Sequence, residues 1–222
     1  MPQETTVSQS TPRLPGIDAA ATPLIGLGLG LTGIVLGLRP RFAAYPLAFT
    51  ALAALLFRDP RRRTPNEPAS IFAPADGTVT AVDELYEHRF LHTDAVRLVI
   101  NVAPLNVPVQ RSPDAGIVRY VERVEGEAQT LWEMRDMERN QRLYVGIETA
   151  WGPLLLALYA GLLTPQLTCF VEEGDTIIAG GRLATGRFGT RVDLILPADV
   201  VGELPGVGAA LRAGVSRVGM VG

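Results

Sequence analysis

The chain has 222 residues, 47% of them hydrophobic, and a formal net charge of −3: enough for one ordinary domain with an appendage, without the basic surplus of a nucleic-acid binder. All 20 basic residues are arginine, so the chain can form no internal Schiff base with pyridoxal phosphate and can carry neither lipoyl nor biotinyl cargo. Its one cysteine, Cys169, excludes an intrachain disulfide, and its two histidines, His88 and His92, lack the carboxylate or cysteine set of a metal centre.

Residues 1–18 read as a polar tail. Ala19 to Leu38 is a run of 20 residues without a charge, the length that predicts a transmembrane helix. Arg39-Pro40-Arg41 breaks it, and Phe42 to Phe57 adds 16 uncharged residues, a short partner for a helical hairpin. Arg58, Arg61, Arg62 and Arg63 follow at once. By the positive-inside rule they keep residues 58–222 on the cytoplasmic face of the inner membrane, where they also attract anionic lipid headgroups.

From Ser70 onward the texture changes to short β-rich runs between turn residues: Thr78-Val82, Val96-Val102, Gly116-Val124, Leu143-Glu148, Leu154-Tyr159, Leu167-Val171 and Val192-Leu196. Their closeness, with no long amphipathic helices between them, predicts a mainly β domain, antiparallel or mixed. Leu131 to Arg142 is compatible with a helix or a loop. The segments around Asp76-Gly77 and Glu173-Gly174-Asp175 have the cadence of a barrel-sandwich hybrid, in which glycine-acid turns join tight strands.

Near the C-terminus, Gly189-Thr190 places a hydroxyl directly after a glycine at the entrance to a strand. A glycine tolerates a strained peptide, and the next residue's Oγ can attack the carbonyl before it, turning an amide into an ester. Elimination from that ester leaves an α-keto acyl group at the new N-terminus. In a chain without lysine, such a self-made carbonyl is the available electrophile. For an isolated Gly-Thr pair, a turn before an ordinary strand is the competing explanation.

Six segments in register then resemble one family: Phe57-Arg58-Asp59-Pro60, Pro74-Ala75-Asp76-Gly77, Met137-Glu138-Arg139-Asn140, Ala160-Gly161-Leu162, Glu173-Gly174-Asp175, and Arg187 through Pro197. Together they are similar to the short archaeal and bacterial form of the phosphatidylserine decarboxylase proenzymes, over nearly all of the chain after about residue 24. The resemblance implies a membrane-bound proenzyme that cuts itself between residues 189 and 190. The keto group left behind takes up the electrons released as CO₂ leaves the serine headgroup, giving phosphatidylethanolamine. It implies a covalent pyruvoyl-type group on Thr190, no pyridoxal phosphate and no metal. The expected partners are the phospholipid and membrane and the chain's own cleaved subunit, with no nucleic acid; self-association is left open.

By match of motif, Asp76 takes the place of the acid that assists self-cleavage, although Asp-Gly turns commonly use the carboxylate only to cap backbone amides. Arg191, Asp193 and Arg111 are candidates to line the site or the substrate, with structural pairing as the alternative for the first two. Two departures fall on the chemistry. Thr190 stands where the family has serine, so the product would be a 2-oxobutyryl group with a more restricted side chain. Asn106-Val107-Pro108-Val109-Gln110-Arg111 stands where the family has Asp-Val-His-Val-Asn-Arg, so the general base is replaced by proline. Thr164-Pro165-Gln166 also replaces an Arg-Arg pair, with consequences for holding a phosphate. The alternative function is therefore a membrane-anchored homologue that never cuts itself and binds lipid or acts as a scaffold.

Overall fold

The computed structural model describes residues 16–18, 21–67, 69–126, 140–161, 167–187, 189–200 and 202–221. The chain folds as two compact units, Met1–Arg61 and Arg62–Gly222. Most of the polar tail and of Leu131 to Arg142 lies outside the described residues, as do motif residues 137–139, Leu162, residues 164–166 and Phe188.

In the first unit, α1 (Thr22–Leu38) and α2 (Ala44–Leu56) are joined by a single 3-10 turn at Pro40–Phe42. Gly28 of α1 packs on Thr50 of α2. The base of this hairpin is clasped by an antiparallel bridge between Ile17 and Arg58 and by the Phe57 carbonyl, which accepts from the Asp18 N–H at 2.8 Å. Leu27, Ile34, Leu36, Leu38, Phe49 and Tyr45 remain exposed. The expected span over residues 19–38 is corrected here. Pro23 in the first turn fits a helix start at Thr22, and Arg39, at φ −149°, ends the helix after 17 residues, about 26 Å against the roughly 30 Å of a hydrocarbon core. No helix among the described residues is long and apolar enough to cross a membrane.

The second unit is mainly β, as expected. Its strands are β1 (Ser70–Phe72), β2 (Gly77–Glu87), β3 (Thr93–Val102), β4 (Val109–Arg111), β5 (Gly116–Val124), β6 (Arg142–Thr149), β7 (Gly152–Tyr159), β8 (Leu167–Cys169), β9 (Thr176–Ile177), β10 (Arg182–Gly186), β11 (Thr190–Pro197), β12 (Ala210–Leu211) and β13 (Arg217–Met220). Eight form one sheet in the order β12-β2-β3-β11-β7-β6-β5-β9, curled as a half-barrel; β4-β10-β8 and β1-β13 make two smaller sheets.

Strand β7 shows why the sheet is buried on both faces. Leu154, Leu156 and Leu158 point into the main core with Val192, Leu194 and Leu196 of β11. Leu155, Ala157 and Tyr159 point into a second cluster with Tyr144 and Ile195. Alternation along a strand explains this division, and the continuous apolar run of β7 is what two covered faces require.

The second cluster is closed by the tip of the β2–β3 hairpin. The Glu87 carboxylate accepts from the backbone N–H groups of Arg89, Phe90 and Leu91 at 2.7–2.8 Å. That turn lays Phe90 over Tyr120, with ring centroids 5.9 Å apart, and Arg89 over Tyr144 at 4.4 Å. Burial opposes the Glu87 charge, but the three N–H donors prevail and hold its carboxyl below the ordinary value. A depressed carboxylate contributes stability that is present above its unfolded pKa and is lost as pH falls through the folded one. Replacing Glu87 by Gln should therefore cost about 1–3 kcal/mol at pH 7, and the gap to the parent should narrow below the ordinary carboxylate range. Denaturation midpoints at the two pH values measure this; equal midpoints at pH 7 would refute it.

Candidate active site

The peptide joining Gly189 to Thr190 lies where β10 turns into β11. Gly189 has φ +83°, a left-handed conformation that any side chain would strain. Two further glycines close on it. A Cβ at Gly161 would overlap the carbonyl oxygen of Gly189 and lie 2.6 Å from that of Arg187, and one at Gly186 would lie 2.7 Å from Cγ2 of Thr190. Only bare Cα atoms permit these approaches. Pro104 covers Gly189 on another side, its Cγ 3.4 Å from where a Cβ would stand.

Thr190 is 1% exposed, and its hydroxyl has no hydrogen-bond partner among the described residues. A buried orphan hydroxyl costs about 1–3 kcal/mol. In the register of the sheet Thr190 lies beside Val102 of β3, and Thr78, Asn101 and Arg191 form the next row across β2, β3 and β11. Asp76, just before β2, is thus at the same end of the sheet, two strand spacings or about 10 Å across. Its carboxylate is engaged on both oxygens: Oδ2 accepts from Arg62 Nη2 at 2.7 Å, while Oδ1 accepts from Arg62 Nη1 and, at 2.8 Å, from the Ala213 N–H. Arg62 Nη1 also donates to the Ala213 carbonyl at 2.9 Å.

The connection from β3 to β4 links these two places. Asn106 Nδ2 donates to the Asp76 carbonyl at 3.3 Å, and the Pro108 carbonyl accepts from the Gly186 N–H at 3.0 Å. Gly186 in turn packs on the Thr190 methyl. Position 108, where a histidine would act as base, is therefore opposite Gly186 and next to the Thr190 side chain. His88 and His92 are far from it. They sit at the hairpin tip, the full length of β3 away, about 30 Å, too far to reach position 108 or Thr190.

Arg191 and Asp193 pair as anticipated, Nε to Oδ1 and Nη2 to Oδ2 at 2.7 Å each. They do not line the Thr190 side. Both project from the opposite face of β11, where Arg191 stacks on Tyr159 at 4.8 Å and Arg97 Nη1 lies 3.9 Å from Asp193. Burial pushes the Asp193 carboxyl up against the opposing pull of Arg191 and Arg97, and burial together with the Asp193 charge pushes the Tyr159 phenol up. Arg111 holds the Gly180 carbonyl at 3.0 Å from the face of β4 that points away from position 108. Sequence reasoning attached no role to Gly186, Pro104, Gln110 or the Arg62 contact. Among the described residues no group of three or more His, Cys, Asp or Glu side chains converges on a metal position.

The family model described as "Phosphatidylserine decarboxylase" matches residues 49–218. The chain is similar to three bacterial proteins named "Phosphatidylserine decarboxylase proenzyme". That of Salinibacter ruber is 35% identical, covering 79% of each chain. That of Chlorobium phaeovibrioides is 34% identical, covering 86% of this chain and 87% of its own. That of Chlorobium phaeobacteroides (strain DSM 266) is 34% identical, covering 71% and 77%.

The Arg62–Asp76 pair is 13% and 15% exposed at its side chains, between the exposed pairs worth about 0–1 kcal/mol and the buried ones whose breakage costs about 3–5. Asp76→Asn should accordingly cost about 2 kcal/mol of stability. The comparison belongs in a Thr190→Ala background, where neither chain can be cut at Thr190. An unchanged denaturant midpoint there would show that the pair anchors nothing.

Proposed function

The chain belongs to the phosphatidylserine decarboxylase family, and from that premise we propose that it cuts itself between Gly189 and Thr190 and decarboxylates phosphatidylserine, or a phospholipid with a related amino-acid headgroup. The observation that carries this reading is the orphan hydroxyl of Thr190 beside a left-handed glycine whose carbonyl is pressed against Gly161. Attack of Oγ on the Gly189 carbon forms the C–O bond, breaks the C–N bond, and leaves the hydroxyl proton on the freed Thr190 amine. Loss of the Thr190 α-proton then breaks the Cβ–O bond and releases the Gly189 carboxylate. Water replaces nitrogen in the resulting imine, ammonia departs, and a 2-oxobutyryl group caps residue 190.

The residues fit such a group. Thr190 lies on the same side of β11 as Val192 and Leu194, in a dry surround, with no lysine in the chain to offer a competing Schiff base. The keto-acyl group supplies the electron sink for decarboxylation. This chain's own residues bury and aim it, and access for the substrate amine follows from the cut, because Thr190 is closed off in the uncut chain. Asp76 is assigned to assist the cleavage through the segment that joins it to position 108.

We assign the α1–α2 hairpin to membrane attachment, with residues 58–222 on the cytoplasmic side. Its outward Leu27, Ile34, Leu36 and Leu38 support insertion into the bilayer surface, and the arginines after Phe57 support the orientation. The second reading, a homologue that never cuts itself and keeps only lipid binding, is favoured by Pro108, which leaves the position beside Thr190 without a titratable group.

Intact mass of the purified full-length chain separates the two readings. Self-cleavage should yield residues 1–189 and a fragment of residues 190–222 that is blocked to Edman sequencing, reacts with hydrazines, and is lighter by one ammonia than a fragment beginning with threonine. A free threonine amine would mean hydrolysis without an electron sink. A chain that remains whole would favour the second reading.

A further inference from the structure

Gln110 lies in the middle of β4, and it is 1% exposed with neither its Oε1 nor its Nε2 hydrogen-bonded among the described residues. An apolar side chain of the same size would fill that position without the cost of two stripped polar atoms.

The register says where Gln110 points. It pairs with Ala184 on β10, and paired residues of antiparallel strands share a face. Ala184 and Gly186 share a face by alternation, and a Cβ at Gly186 would point at the Thr190 methyl. Gln110 is therefore on the Thr190 side, one diagonal step from Gly186, roughly 7–8 Å and within reach of a long side chain. Two other polar side chains nearby do not compete for that hydroxyl: Thr185 is on the opposite face of β10, and Arg111 is on the opposite face of β4 and bonded to Gly180. Asn140 is held by its Nδ2, which donates to the Ala160 carbonyl at 3.2 Å, and its unpartnered Oδ1 is the competing acceptor.

We propose that Gln110 is the orienting residue of the self-cleavage: its amide oxygen accepts the Thr190 hydroxyl and holds Oγ toward the Gly189 carbonyl. The amide takes no proton; it fixes a geometry that the proline at 108 cannot. The idea rests on the self-cleavage reading above and deepens it, since it names the group that prepares the nucleophile.

The test uses full-length chain made by cell-free translation, followed over time with and without hydroxylamine. Hydroxylamine cleaves the Gly189 ester to a hydroxamate, so it reports the acyl shift even where elimination fails; the chain has no Asn-Gly bond, its usual target. Gln110→Met keeps the size and removes the amide. It should cut about 100-fold more slowly, with the hydroxylamine-released fragment reduced in parallel and the thermal midpoint equal to or above that of the parent. Gln110→Glu keeps the acceptor and should keep cutting, at a rate that rises with pH as the carboxylate ionises. Gln110→Met that cuts at the parental rate overturns the role of Gln110 while leaving self-cleavage intact. A parent chain that yields no fragment under either condition overturns self-cleavage and this role together. Parental fragments seen only with hydroxylamine overturn the elimination step alone, and the methionine variant then decides Gln110 by the same comparison.

Discussion

The peptide between Gly189 and Thr190 is pressed from three sides, and the rest of the domain is arranged to keep it so. Gly161 admits its carbonyl, Gly186 admits the threonine methyl, and Pro104 covers the glycine. Each contact comes from a different part of the chain: the end of β7, the end of β10, and the connection after β3. They converge because β11 is inserted between β3 and β7 in the eight-stranded sheet. The pairing of β11 with both neighbours, sealed by the main core on one face and the Tyr159 cluster on the other, makes the start of this strand rigid. A nucleophile on a rigid element needs only a small group beside it to be aimed.

That small group is where this chain differs from the pattern it resembles. Asp76 is in place, but both carboxylate oxygens are taken up by Arg62 and Ala213. The segment that would carry an imidazole between Asp76 and Thr190 runs along the right path, touching Asp76 through Asn106 and Gly186 through Pro108. Under the self-cleavage proposed above, the scaffold of the reaction is in place while its base is absent. The uncut state buries an unsatisfied hydroxyl and, one diagonal step from the glycine that packs on the threonine methyl, an unsatisfied amide, which is a poised arrangement rather than a relaxed one.

Much of the fold was legible in the sequence. All seven β-rich runs overlap strands of the structure, because runs of five or more β-branched and aliphatic residues carry their own pattern. The short strands β4 and β10, which pair with each other, were not read, because propensity is too weak a guide at three to five residues. The end of the hairpin helix at Leu38 was legible, but its length was overestimated because counting uncharged residues from Ala19 ignores Pro23, which fits a helix start at Thr22. At the site, Gly189, Thr190 and Asp76 could be read from motifs. Arg191 and Asp193 were drawn toward the cut by nearness in sequence, although the alternation Thr190-Arg191-Val192-Asp193 already turns them to the other face. Gln110 was not legible, since its importance lies in what fails to bond with it after folding.

Position 108 is where the site lacks a titratable group, so the rate of self-cleavage in a Pro108→His chain is the most direct test. A histidine there is opposite Gly186 and beside Thr190, on the path from Asp76, and a general base so placed should raise the rate by about 100- to 10,000-fold, with a dependence on pH that follows the imidazole. A folded Pro108→His chain that cuts no faster than the parent would contradict the claim that the site is assembled and lacks only its base.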